Sequence, residues 1–570
     1  MSTVTGNTLN QGLAKRLYTL PAGARGNIPL PGPDVASRKR LVEKLLHNQE
    51  HYHTYFNDMR FHNHSTHHMF AIYALGATPE LLDAAYATHM QYQKPLVRSP
   101  HSITEANFLE HLDEDEYYEA YLAYFANYLD THDIAETVDR FIFSPEYNYI
   151  PNLDELNARD KKNGGTGSKQ QPEMLNRCLA SLVHPLIHVG YGVEFGVKGQ
   201  LAEDRMIIIC WTGLAMTAVH PPFQTPIVPY SLFSSHPDFT TAPSASLLKR
   251  LAALTVTSKS APSTPPKPTF SLHQRILADP SLAAGVAIDA SNPKKYEDLI
   301  ERSGDRLHAL VTEWYGKWLE GATTNEEVES RLEAMVEEIV WGNVMWFGVG
   351  GWAGPGKKDG QNINADFYMM HLVTSAHFLP NFALLPSASN PAALNPPLSL
   401  ANRLLLVRTY FAQSVGWYIA RGRPALPLAD FYAATSKYVA SPIPPPSKRE
   451  KGDVKEGTIA MMSFKSALEA GSNPWPRIIQ NTLVHTSEHL CKLQRTLAFF
   501  AVKYGDRDAG DFAGSPLEGS EKLDSTLFAR VAGLTMERLG LANEGGKIEF
   551  FDMLGFYGVE RNGDEPYDAE

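Results

Sequence analysis

The chain has 570 residues, 43% of them hydrophobic and 20% charged, a balance that supports a large folded core and excludes global disorder. Its formal charge of −12 argues against a general nucleic-acid binder, which needs a basic face. Three cysteines (Cys178, Cys210 and Cys491) are too few for a disulfide framework, a Cys-rich zinc site or an iron–sulfur cluster, and they point to a reducing compartment.

The N-terminal stretch MSTVTGNTLNQGLAKRLYTL has no apolar core of the kind a secretory signal needs. Residues 1–33 read as an extension, 34–545 as one helical catalytic domain and 546–570 as a tail. The residue spacing predicts an amphipathic helix over Asp34–Gln49 and a helix start at Thr78-Pro79-Glu80, with Thr as cap and Pro at the first helical position. An aromatic helix follows over Glu114–Leu129, its Tyr and Phe stripe read as core packing. Further helical runs are Pro172–Glu194, Leu201–Val219, Tyr296–Leu319, Asn325–Phe347, Asp366–Leu379, Leu398–Ala420, Pro474–Tyr504 and Thr526–Leu541. Alternating strands are scarce, so the expected fold is all-α or nearly all-α. Pro/Ser-rich loops are expected over Ser258–Pro268, Pro380–Pro397 and Ser441–Asp453. The apolar run Met206–Val219 is too short to span a bilayer. A cytoplasmic protein without nucleic-acid or membrane partners is the expectation.

Histidine is the unusual residue: there are 21, seven of them between His47 and His68. In FHNHSTHH a helix beginning near Asn63 would put His64 and His68 one turn apart on one face. Such i,i+4 spacing lets two imidazoles share a metal, as in the HExxH helix, but the intervening Glu of a zinc protease is absent. His184 and His188 repeat the spacing in an apolar run, with Pro185 as a source of a kink. His371 and His377, on a third apolar segment, are six apart and face different ways on a regular helix. His485 and His489 form another i,i+4 pair, on a helix whose Lys492 and Arg495 suggest exposure. The reading of these residues is a shared metal site built mainly from His64, His68, His184 and His188. Imidazole suits Zn, Cu, Fe and Ni alike, so the ligands alone leave hydrolysis and oxygen chemistry both open. Gly348–Ala353 fits GxGxxA but lacks the strand–turn–helix context of a dinucleotide site, which argues against bound flavin.

The segments FHNHSTHHMFAIYALGATPELLDAAY, HPLIHVGYGVEFG, DFYMMHLVTSAHFLP and HTSEHLCKLQRTLAFFAVKYG together resemble the questin oxidase-like family of fungal polyketide biosynthesis. The matching histidines are His64, His67, His68, His184, His188, His371 and His489. The resemblance implies an oxygen-using enzyme that cleaves the ring of a small planar anthraquinone-type substrate in secondary metabolism, with Fe(II) as cofactor and O2 as co-substrate. His64, His68, His184, His188, His371 and His377 are then the candidate ligands, His67 and Tyr191 the candidate bases, and Glu194 an acceptor for a ligand's second N–H. Position 377 is expected to tune the metal as an altered version of an anionic ligand position. The alternatives are an NADPH-assisted Baeyer–Villiger-type oxidase without metal and a zinc hydrolase.

Overall fold

The computed structural model describes residues 20, 26–28, 30–162, 169–196, 208–233, 266–354, 362–439 and 473–557, with only the backbone of 208–211. The loops expected around 258–265 and over 441–453 lie outside the described residues. Among the described residues the protein is helical; extended backbone occurs only as isolated bridges such as Tyr52 to Pro95.

The main helices are α1 (Val35–His51), α2 (Ser65–Ala74), α3 (Pro79–His89), α4 (Tyr118–Thr131), α5 (Met174–Phe195), α6 (Ile208–Val219), α7 (Lys295–Leu319), α8 (Asn325–Met345), α9 (Phe367–Ala376), α10 (Leu400–Ala420), α11 (Trp475–Val484), α12 (Glu488–Lys503) and α13 (Thr526–Leu539). Their starts are chemically marked. Asp34, Thr78 and Thr324 accept from backbone N–H groups in the first turns of α1, α3 and α8, satisfying donors that a helix leaves free. Pro79 sits where its missing N–H costs nothing.

The long run expected over 474–504 is two helices, α11 and α12. The chain turns at His485, whose Nε2–H donates to the Leu539 carbonyl while Nδ1 accepts from Ser487 N–H. Helix α9 ends at Ala376, so His377 stands outside the regular turn that carries His371. The expected loop over 380–397 begins inside a short helix, Leu379–Ala383, before becoming irregular.

Helix α12 is central: it packs against α2, α9, α11 and α13, while α5 packs against α6 and α9. Both presumed terminal segments join this body. Asn27 and Ile28 are buried, as are Phe551, Asp552 and Phe556. Asp552 accepts from Phe367 N–H at the start of α9 (2.9 Å) and pairs with Arg538 (2.8 Å). The aromatic stripe of α4 is core: Tyr121 and Phe125 meet Phe108 edge-on. The GxGxxA segment lies in a continuous helical stretch, where a Cβ at Gly348 would strike Val531 and one at Gly351 the Asn364 carbonyl. Its glycines permit close packing and make no dinucleotide turn. No helix among the described residues is long and apolar enough to cross a membrane.

Candidate metal centre

Four helices each bring one histidine to a common point. His64 is the residue just before α2, and the turn is fixed by Asn63 Oδ1, which accepts from Ser65 N–H at 3.0 Å. His184 follows a break in α5, where Ser181, Leu182 and Val183 all have positive φ. Non-glycine residues pay for that conformation, a β-branched valine most of all. Pro185 fits the position of the break: it has no N–H to donate back to residue 181, so the helix loses nothing there by starting afresh after Val183. The freed Ser181 carbonyl accepts instead from His184 Nδ1–H at 2.5 Å and so aims the ring. His371 lies in α9, whose first turn is capped by Asp366, itself paired with Arg421. His489 lies in the first turn of α12, directly after the break.

These four side chains are buried and each offers a ring nitrogen within 4.8 Å of the others. Nε2 of His64 and His184 are 2.9 Å apart, and Nε2 of His371 and of His489 have no partner. The opposite nitrogens are occupied. Nδ1–H of His371 donates to the Phe367 carbonyl (2.8 Å), and Nδ1 of His489 and of His64 face Glu488 Oε1 at 3.1 and 3.7 Å. Holding Nδ1 leaves the Nε2 lone pairs directed inward, the arrangement of metal-bound imidazole. Desolvation pushes all four rings below their usual pKa, and Lys492 adds repulsion at each. They are therefore neutral at pH 7 and ready to bind a cation. The donor set fits a first-row transition metal with Nε2 of His64, His184, His371 and His489 as ligands.

The other sequence candidates are placed elsewhere, because an i,i+4 pair shares a face only approximately and each ring must also find a partner. His68 Nδ1 meets His89 Nε2 at 2.9 Å, and His89 Nδ1 accepts from Tyr92 O–H at 2.7 Å. His188 Nδ1 meets His67 Nε2 at 2.9 Å. His377 Nε2–H donates to Glu194 Oε1 at 3.2 Å. Glu194 does accept from an imidazole, but from that of His377 and not from one of the four. His67 lies beside the cluster, its ring centroid 5.9 Å from that of His64, with Nδ1 unpartnered. Tyr191 packs among His67, Phe70, Phe195 and Phe378. Burial pushes its phenol upward, which opposes service as a base.

His489 was noted in an i,i+4 pair and among the matching histidines but not placed among the candidate ligands, and Glu488 and Lys492 were given no role at the site. Lys492 and Arg495 are buried, contrary to the exposed face expected for α12. Lys492 Nζ has no hydrogen-bond partner, and burial lowers its pKa to about 8. The available signal was Glu488 and Lys492 at i,i+4 on a helix otherwise rich in Leu, Ala and Phe, a charge pair among apolar neighbours.

A polar cavity of about 20 Å³ lies behind the cluster, lined by Asn48, Gln49, Thr54, Asn63, Thr66 and His188 among others. It has room for a water and none for a fused-ring substrate.

A helical body with four buried histidines converging on one point defines the class: an α-protein whose candidate metal centre lies in its core. Comparison supplies the family. Residues 61–497 match the questin oxidase-like family, and the chain belongs to it. It is 23% identical to a Baeyer-Villiger oxidase of Pestalotiopsis microspora, over 70% of this chain and 74% of the relative. It is 22% identical to a Baeyer-Villiger monooxygenase of a Cryptosporiopsis species, over 67% and 70%. A questin oxidase of Aspergillus terreus is 24% identical over 28% of this chain and 32% of its own. The protein is an oxidoreductase.

Proposed function

We propose that the protein is a non-haem iron-dependent dioxygenase of fungal secondary metabolism that opens the ring of an anthraquinone-type polyketide. The convergence of four neutral, buried Nε2 atoms from four helices carries the metal part of this reading. The names of the relatives and the family support oxidation of a planar aromatic compound, with O2 as oxidant. Bound at these nitrogens, Fe(II) would supply the electrons that activate O2.

The chain's own residues supply orientation and proton handling. The Ser181 and Phe367 carbonyls and Glu488 fix the ring positions, so little reorganisation is needed on metal binding. His67 has an unpartnered Nδ1 beside the centre, and His188 stands behind it at hydrogen-bond distance. In this reading His67 Nδ1 accepts the phenolic proton of the substrate, and the His188 ring, facing the polar cavity, relays charge away from the apolar core.

The test is metal analysis of purified protein followed by anaerobic loading with Fe(II) and addition of an anthraquinone hydroquinone and O2. Substrate-dependent O2 uptake that needs iron, with both oxygen atoms traced into the ring-opened product, is the expected result. Activity that survives exhaustive chelation and consumes NADPH, or a zinc protein that only hydrolyses esters, overturns it.

A further inference from the structure

Three of the candidate ligand helices are joined at a second buried point, away from the four histidines. Glu194 lies in the last turn of α5, which carries His184. His377 follows α9, which carries His371. Arg495 lies on α12, which carries His489. Glu194 Oε1 receives the Arg495 guanidinium and His377 Nε2–H (3.2 Å). The same oxygen accepts from Asn27 N–H at 2.6 Å, bringing in a segment from the far end of the chain. The Asn27 side-chain amide bonds Asn381 Oδ1 at 2.9 Å and lies 3.1 Å from His377 Nε2. The side chains of Glu194, His377 and Arg495 are 0%, 1% and 2% exposed.

The fourth helix is tied in by rings. Phe70 of α2 packs on Phe195 (4.6 Å) and Tyr191 (5.7 Å), and Arg495 lies over both of those rings. The space is filled. A Cβ at Gly26, whose φ is +74°, would fall 2.5 Å from Glu194 Oε1 and 2.8 Å from Arg495.

We infer that Glu194, Arg495 and His377 form a charge clamp that sets the relative positions of the helices bearing His184, His371 and His489, and that Glu194 and Arg495 are therefore positioning residues for metal binding. The inference rests on the metal reading for its purpose but on contacts of this chain for its existence. One carboxylate oxygen gathers donors from two other ligand helices, so losing its charge leaves the buried guanidinium uncompensated and releases all three together. Helices packed around a shared point have discrete arrangements, and a shift of a few tenths of an ångström separates four convergent nitrogens.

The test uses the full chain, freed of metal, with hydrogen exchange and Co(II) titration as readouts. Glu194→Gln should speed exchange in residues 184–194, 367–377 and 489–495 together. It should also weaken Co(II) binding by about 10–100-fold, the range for residues that orient metal ligands. Glu194→Asp should recover part of that affinity. Arg495→Met and Arg495→Lys should behave as the corresponding pair, loss and partial recovery, and this pair serves if Glu194→Gln does not fold. Exchange that rises only in the mutated helix, or Co(II) affinity equal to the parent's, overturns the clamp. His489→Ala is the separate control. If the parent binds no Co(II), or His489→Ala binds it as the parent does, the metal reading fails, and the positioning role with it; concerted loosening of three segments still establishes the clamp as a link between helices.

Discussion

Nε2 of His64 and Nε2 of His184 lie 2.9 Å apart although 120 residues separate them in sequence. His184 Nδ1 carries its proton toward the Ser181 carbonyl, so its Nε2 presents a lone pair. Two lone pairs aimed at one point repel unless a proton or a cation lies between them. The arrangement is held by the folded body around it, as functional sites often are.

The first prediction separates the four convergent histidines from the rest. His64→Ala, His184→Ala, His371→Ala and His489→Ala should each abolish stoichiometric iron, measured by elemental analysis, while retaining helical circular dichroism. His68→Ala and His188→Ala should keep iron, because their rings pair with His89 and His67. Loss of iron in His188→Ala equal to that in His184→Ala would contradict this division.

Glu488 should matter almost as much as a ligand. Its Oε1 faces Nδ1 of both His489 and His64. Glu488→Gln keeps the shape but removes the charge that makes these imidazoles better donors. Metal affinity should fall about 10–100-fold, read by competition with a chromogenic chelator; an unchanged constant would place Glu488 outside the centre's electrostatics.

Acid should destabilise the apo-protein well above the usual carboxylate range. Burial lowers the pKa of His68, His188 and His273 to about 3 and of His89 to about 4. The unfolded chain takes up these protons first, near pH 6.5. Stability is thus complete above about pH 6.5 and falls as pH drops, by up to about 1.4 kcal/mol per pH unit for each such histidine. Glu194, held at about 2 by Arg495 and His377 against the cost of burial, keeps its contribution until far lower pH. Denaturant titrations at pH 7.5, 6.5 and 5.5 should show a steep loss only over the lower interval.

Gly213→Ala should disturb the His184 helix from outside the centre. A Cβ there would meet the Val189 backbone nitrogen at 2.6 Å and its Cα at 3.1 Å, and backbone cannot swing aside. About 1–3 kcal/mol of destabilisation is expected, seen as a lower melting temperature together with reduced iron occupancy. A parent-like melting temperature would mean that α5 and α6 separate freely.

Local chemistry made much of the fold legible. Thr78-Pro79 marked the start of α3, the apolar spacing gave α7, α8, α10 and α13 to within a few residues, and Pro185 announced a break next to a candidate ligand, His184. These are properties of neighbours along the chain, set by backbone sterics and helical period. The choice of one histidine from each i,i+4 pair was not local. His64 and His68 have equal claims in sequence; His89, brought near by α3, takes His68, and His184, brought by the kink in α5, takes His64. His489 looked exposed because Lys492 and Arg495 follow it, and only packing against α2 and α9, with the ion pair from Arg495 to Glu194 of α5, showed that those cations are interior. A charged side chain in a helix reads as solvent-facing until its counter-charge is known. For Arg495 that counter-charge is Glu194, 301 residues away, so the assignment belonged to the tertiary structure alone.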